Sequence, residues 1–310
     1  MKLIIALVLI LTLAGCQALP FPTPFQRKET MQLPEVSIGT QGVELSLAPN
    51  NPPREVYEGS QFAMLVTLSN LGTMDVEQGV YTVGYDPQHL YLTRQQAQGR
   101  FAVRGKSIFN PGGEERQINL LFTTKPLGPQ LSLYPATLTF NACYPYQTTA
   151  PLVTCIDTDI FGKQTTKACV PQFQAFPQGQ GAPVVVSSVE PRMLPHEDPN
   201  RIRPEFVLTL QNQGTGDVVA AQRYMEACSG RPLGEDGWNM LSVDAALSDQ
   251  MLTCTPTPVA LRQTETRVVC TLPEGIDVRQ GTYTTPLTVT LTYGYLTSIT
   301  TQVDILKTAA

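Results

Sequence analysis

Apolar and polar residues alternate with a period of two along most of the chain. Val43, Leu45 and Leu47 alternate with Glu44 and Ser46, and Met64, Val66 and Leu68 with Ala63, Leu65 and Thr67. Further on, Phe206, Leu208 and Leu210 alternate with Val207, Thr209 and Gln211. Leu287, Val289, Leu291 and Tyr293 alternate with Thr288, Thr290 and Thr292. A strand with this period turns one face to a core and the other to water, and threonine on the outer face keeps β-propensity without adding apolar surface. Turn clusters punctuate the runs at Asn110-Pro111-Gly112-Gly113, Gly230-Arg231-Pro232 and Leu272-Pro273-Glu274-Gly275. Short strands separated by such turns predict an all-β chain of β-sandwiches. The one helical candidate is Asp217 to Cys228, and strand is the preferred reading there.

The strand pattern occurs twice. Residues 43–76 align without gaps on 185–218, at an offset of 142. Val43, Ser46, Pro49, Pro53 and Glu55 match Val185, Ser188, Pro191, Pro195 and Glu197. Thr67, Leu68, Asn70, Gly72, Thr73, Asp75 and Val76 match Thr209, Leu210, Asn212, Gly214, Thr215, Asp217 and Val218. Tyr134, Leu138, Tyr144 and Tyr146 return as Tyr283, Leu287, Tyr293 and Tyr295, now at an offset of 149. We read a duplicated domain. The first unit covers 35–175, with two extra short strands at Ala150–Cys155 and Thr165–Cys169. A short uncharged linker covers 176–183, and the second unit 184–308. In each unit Asn-x-Gly ends a strand: the Asn70 side chain can bond the backbone two residues on, and Gly72 can take a positive φ. This element resembles the immunoglobulin-like repeats of prokaryotic surface proteins, including the cell-adhesion-related CARDB type. The resemblance implies two tandem immunoglobulin-like β-sandwiches. The Pro- and Thr-rich, lightly charged style is also similar to uncharacterised surface proteins of archaea.

Upstream of the repeats lies an address. Lys2 precedes an apolar run, Leu3 to Leu13, that ends in Leu13-Ala14-Gly15-Cys16. Its length suits a signal peptide, since a spanning helix needs roughly 20 residues. The segment 1–16 resembles a prokaryotic lipoprotein signal peptide with its lipobox. That resemblance implies cleavage before Cys16 and lipidation of its thiol. An ordinary signal peptide and an uncleaved anchor are the alternatives; all three place the body outside the cytoplasmic membrane, and the lipoprotein reading places it on the extracytoplasmic face of the cell membrane, held by lipid. Residues 17–34, with Pro20, Pro22, Pro24 and Pro34, read as an extended tether.

Composition narrows the function. The chain has 310 residues, 15% charged, and 21 Lys+Arg against 26 Asp+Glu give a net charge of −5. An acidic chain lacks the clustered cations that nucleic-acid binding requires, so no nucleic-acid partner is expected. Of seven cysteines, Cys16 is the lipidation candidate. Cys143, Cys155, Cys169, Cys228, Cys254 and Cys270 form an even set, which in an exported chain suggests disulfides. Six cysteines allow fifteen pairings. The arrangement we favour closes two short loops, Cys254–Cys270 and Cys155–Cys169, and links the units through Cys143–Cys228. Spacing suited to zinc is absent from the sequence.

Candidate chemistry is sparse. His89 and His196 sit in turn-like contexts without a nucleophile motif and read as exposed loop residues. Asp157-Thr158-Asp159 is a weak Ca²⁺ candidate, and Glu197-Asp198 and Glu235-Asp236 are weaker ones. Gly112-Gly113 lacks the lysine and context of a phosphate loop. Tyr144/Tyr146 and Tyr293/Tyr295 read as core, and Trp238 as a plug in the sandwich. No cofactor and no catalytic residue is expected. The function read from the sequence is a structural, adhesive or binding role at the membrane, with a protein or glycan partner on the cell surface. The alternatives are an accessory subunit of a secretion, pilus or surface-filament machine, or an envelope carbohydrate-binding protein or hydrolase.

Overall fold

The computed structural model describes residues 37–308 except 235 and 263–264. The signal and lipobox segment, Cys16, the tether and Glu235 lie outside the described residues. The chain folds as an all-β sandwich. Its strands are β1 (Val43–Leu47), β2 (Glu55–Tyr57), β3 (Gln61–Asn70), β4 (Val76–Gly84), β5 (Leu90–Tyr91), β6 (Gln98–Val103) and β7 (Glu115–Thr124). They continue with β8 (Leu133–Asp157), β9 (Gln174–Ala175), β10 (Val184–Pro195), β11 (Arg201–Asn212), β12 (Asp217–Val219), β13 (Met240–Leu247), β14 (Gln250–Met251), β15 (Thr253–Thr255), β16 (Val259–Ala260), β17 (Thr266–Thr271), β18 (Ile276–Asp277) and β19 (Thr282–Leu306). Among the described residues no helix is long and apolar enough to cross a membrane.

Each repeat owns one sheet, and both share a third. The first repeat's sheet runs β1-β3-β7-β5, and the second repeat's runs β15-β17-β11-β10-β9. The shared sheet has the order β14-β13-β19-β8-β4-β6, and its axis is the antiparallel pair of β8 and β19. These strands are 25 residues each and pair without a break from Leu133↔Leu306 to Asp157↔Thr282. At about 3.3 Å per residue the ladder is on the order of 80 Å long. β8 begins beside β4 of the first repeat and ends in the second, where Thr148 donates to the Val184 carbonyl. β19 begins beside β13 of the second repeat and ends beside β2 of the first. The repeats have therefore exchanged the far halves of their last strands. One cluster of buried side chains runs through both.

The boundary drawn at 176–183 thus does not separate the chain into two closed units, because β8 and β19 cross it. The supposed linker is itself packed. Gln180 is buried with its amide donating to the Val186 carbonyl and accepting from the Val186 N–H, both at 3.0 Å. Two other readings need correction. Ala150–Cys155 is not an extra strand but the end of β8, and Thr165–Cys169 is irregular. The segment 217–228 keeps only three strand residues, followed by a 3₁₀ turn (Ala221–Arg223) and the short helix α2 (Tyr224–Cys228); α1 is a single turn at Arg94–Ala97. Burial explains the helix: Tyr224, Ala227 and Cys228 form one apolar face against Cys143 and Val219.

Four prolines lie in the two long strands. The Val153 carbonyl accepts from the Gln174 side chain, and the Pro286 carbonyl accepts from the Ser248 N–H. This opposed pair therefore points away from its partner. By the two-residue alternation of an antiparallel ladder, Pro135, Pro145 and Pro151 point the same way as Val153. None of the four removes a bond between β8 and β19. Pro145 and Pro151 instead face the side of β8 left open beyond its pairing with β4, where a missing donor discourages edge-to-edge association.

Candidate functional site

Three places gather polar or aromatic side chains: the centre of the exchanged pair, the free end of the second repeat, and the free end of the first.

At the centre, Tyr144 faces Tyr295 and Tyr146 faces Tyr293 across the ladder. Neighbouring rings stand 5.7–6.3 Å apart, at edge-on or tilted angles, within the range for favourable aromatic pairs. The sequence repeat equates Tyr144 with Tyr293 and Tyr146 with Tyr295, and their hydrogen bonds follow suit. The Tyr144 hydroxyl accepts from the Val43 N–H at 2.9 Å, and the Tyr293 hydroxyl from the Val184 N–H at 3.3 Å. The Tyr146 hydroxyl accepts from the Met74 N–H at 3.4 Å, and the Tyr295 hydroxyl from the Gly216 N–H at 2.8 Å. The four phenols thus form a pseudo-twofold hub. Burial pushes all four up from the ordinary phenol range, Tyr295 to about 12.

The Asn-x-Gly turns are built around these hydroxyls. Asn70 donates to the Met74 carbonyl at 2.8 Å and accepts from the Gly72 N–H at 3.1 Å. Asn212 does the same with Gly216 and Gly214, at 2.8 and 3.2 Å. Neither Gly72 nor Gly214 has a positive φ, so the reason given for glycine from sequence is corrected. A Cβ at Gly72 would overlap the Tyr146 hydroxyl, and one at Gly214 the Tyr295 hydroxyl. The alignment needs one further adjustment. Val43 faces Asn70, and its counterpart facing Asn212 is Val184, not Val185; a bulge between Val186 and Ser188 restores the offset of 142.

Three disulfides close: Cys143–Cys228, Cys155–Cys169 and Cys254–Cys270. They are the pairs favoured above from loop length and repeat membership. The first ties the α2 insertion of the second repeat to β8 beside β4. Around it Thr82 donates to the Cys228 carbonyl at 2.6 Å, and Tyr224 to the Gln78 carbonyl at 3.0 Å.

At the free end of the second repeat, the loop bounded by Cys155–Cys169 contains the calcium candidates. The Lys167 ammonium stands 2.6 Å from the Asp157 carboxylate and 3.5 Å from that of Asp159. Asp159 also accepts the N–H groups of Lys163 and Gln164, at 2.9 and 2.7 Å. The two carboxylates therefore already share a cation, supplied by the chain. Burial opposes the Asp157 charge, but bonds from Lys167, the Asp159 N–H and Thr282 outweigh it, and its carboxyl is held below the usual range. Among the described residues no group of three or more His, Cys, Asp or Glu is placed to hold a metal ion. Beside this loop runs a groove of about 470 Å³, lined in part by Ile160, Phe161, Lys163, His196 and Arg201. Phe161 is 75% exposed, with the Lys163 ammonium 5.8 Å from its ring centre. His196 accepts from the Asp198 N–H at Nδ1 and so donates from Nε2 to the Pro273 carbonyl, both at 3.0 Å. That fixes its neutral tautomer as a turn brace.

At the free end of the first repeat, His89 is not the exposed loop residue expected. It stacks on Tyr134 with ring centres 3.7 Å apart, and its Nδ1 lies 2.9 Å from Asp86. Tyr134 also donates to Asp86 at 2.6 Å; with His89 and the Gln88 N–H it holds that carboxyl at about 2. Trp238 is no plug either. It is 39% exposed and bridges to Val219 through its backbone. No protein-family model and no curated protein matches the chain.

Proposed function

We propose that this protein is anchored to the cell membrane by its N-terminus, stands on the extracytoplasmic face, and has a structural, adhesive or binding role rather than a catalytic one. The observation that carries the reading is the set of three disulfides. They take up six of the seven cysteines, and such bonds form and persist in oxidising compartments. The seventh is Cys16, at the end of the apolar leader in Leu-Ala-Gly-Cys. The leader supplies the route to that exterior, and the thiol a point of lipid attachment.

The body suits a holding task. Exchanged strands, a buried tyrosine hub and an inter-repeat disulfide join the two repeats, so a load applied at one end is carried by backbone hydrogen bonds into both. Within this reading, the groove beside Phe161 favours ligand display over a purely structural role, because an exposed aromatic ring beside Lys163 and Arg201 offers stacking and charge together.

Metabolic labelling with palmitate tests the anchor. The wild-type chain is expected to take up label and to fractionate with membranes, and Cys16→Ser to lose the label. Label that persists in Cys16→Ser, or is absent from the wild type, contradicts lipid attachment at this cysteine.

A further inference from the structure

The loop between β6 and β7 carries Ile108 and Phe109 at its tip, 70% and 92% exposed. The loop is held in shape. Ser107 and Asn110 exchange backbone hydrogen bonds at 3.0 and 3.1 Å, and the Gly113 N–H bonds the Asn110 carbonyl at 3.2 Å.

The place of this tip is informative. The Lys106 N–H bonds the Gly72 carbonyl at 2.6 Å, and the Leu71 N–H bonds the Gly42 carbonyl at 2.9 Å. The root of the loop therefore lies two residues of backbone away from the segment by which the chain enters the body. Upstream of that segment comes the sequence leading back to Cys16 and the apolar run Leu3–Leu13. About 20 residues separate Cys16 from the body, a span that reaches at most ~70 Å, so the anchor alone leaves orientation open. Arg104 and Lys106 flank the tip. The nearby carboxylates of Glu114 and Asp75 accept the backbone N–H groups of Arg104 and Gly105, each at 2.8 Å.

We propose that the Ile108–Phe109 tip inserts into the lipid surface to which the N-terminus holds the chain, giving the body a second fixed point on the membrane. The inference rests on the membrane-anchored reading above. An exposed aliphatic and aromatic pair partitions into the boundary between headgroups and acyl chains, while flanking Arg and Lys meet lipid phosphates.

The test uses the full chain reconstituted into phosphatidylcholine vesicles with roughly one-third phosphatidylglycerol, with and without lipids brominated in the acyl chain. Trp238→Phe removes the single tryptophan, and Phe109→Trp or Phe161→Trp then places one reporter. Brominated lipid is expected to quench the reporter at position 109 at least twofold, with a blue-shifted emission, and to leave the reporter at 161 unchanged. A chain that floats with the vesicles while the reporter at 109 stays unquenched, as it would if the tip met a protein or solvent, overturns the inference and leaves the anchor standing. A chain that does not float with the vesicles overturns the anchored reading, and the inference with it.

Discussion

Replacing Cys143 and Cys228 together by alanine is expected to lower the unfolding free energy by about 4–5 kcal/mol, from the chain entropy released when a loop of this length is opened. The two residues are 85 apart in sequence, against 14 for Cys155–Cys169 and 16 for Cys254–Cys270. By the same relation each short loop contributes only about 3 kcal/mol. The location adds to the contrast. Cys143 lies on the strand that crosses from one repeat to the other, and Cys228 lies on the inserted helix of the second repeat. Without the bond, the hydrogen bonds of Tyr224 and Thr82 and the apolar packing of the helix on Cys143 and Val80 are left to hold it against the first repeat. Urea unfolding under non-reducing conditions reads the effect as a shift in midpoint. Because both repeats share β8 and β19, the wild type is expected to unfold in one transition. A wild-type curve with two well-separated steps, or a variant with an unchanged midpoint, contradicts the fused body.

Alkali is expected to unfold the protein steeply through the central tyrosines. Burial raises Tyr144, Tyr146, Tyr293 and Tyr295 above the ordinary phenol value, Tyr295 to about 12. Below about pH 10 these phenols are protonated in both folded and unfolded chains, and their contribution to stability is fully present. Above it the unfolded chain releases protons that the folded chain retains. Stability then falls with rising pH by about 1.4 kcal/mol per pH unit for each phenol held back. Four acting together give roughly 5–6 kcal/mol per unit. Unfolding midpoints should be nearly flat at about pH 9 and take on this slope as the pH rises through about 10 to 11, and tyrosinate absorbance should show the held-back phenols ionising only as the fold is lost. Tyr144→Phe should make the slope shallower by one group. If all eleven tyrosines ionise near pH 10 while the fold stays intact, the hub is not closed to water.

The strands were legible because one physical rule, alternation against a single core, governs them. The same rule hid the exchange. In β8 every even position from Ala136 to Ile156 is buried, so the alternation passes through Tyr144 and Tyr146 without interruption. Strands of 25 residues are far beyond the usual five or six, and proline inside a strand ordinarily argues for an edge or an end, as Pro135, Pro145 and Pro151 would. Their shared parity, all odd, is the signal that they lie on the side facing away from β19 and do not interrupt the ladder. The Asn-x-Gly turn was legible as a turn, but the need for glycine at 72 comes from a tyrosine 74 residues later in the chain, which no local pattern contains. At 217–228 the local sequence reads as strand, but beyond Val219 packing of Tyr224, Ala227 and Cys228 on Cys143 selects a helical turn. The Asp157/Asp159 pair looked like a cation site because the sequence does not show that Lys167 folds back between them. The groove beside Phe161 was not visible for a related reason: its walls come from 158–164, 195–202 and Val278, segments that share no motif.

The most direct measurement is non-reducing peptide mapping of the full chain taken from the cell envelope, with thiols blocked at the moment of lysis. A linked pair of peptides carrying Cys143 and Cys228, one from each repeat, is the expected result, together with linked pairs for Cys155–Cys169 and Cys254–Cys270. Recovery of those six cysteines as blocked thiols would place the chain in a reducing compartment and contradict both the stapled body and its exterior role.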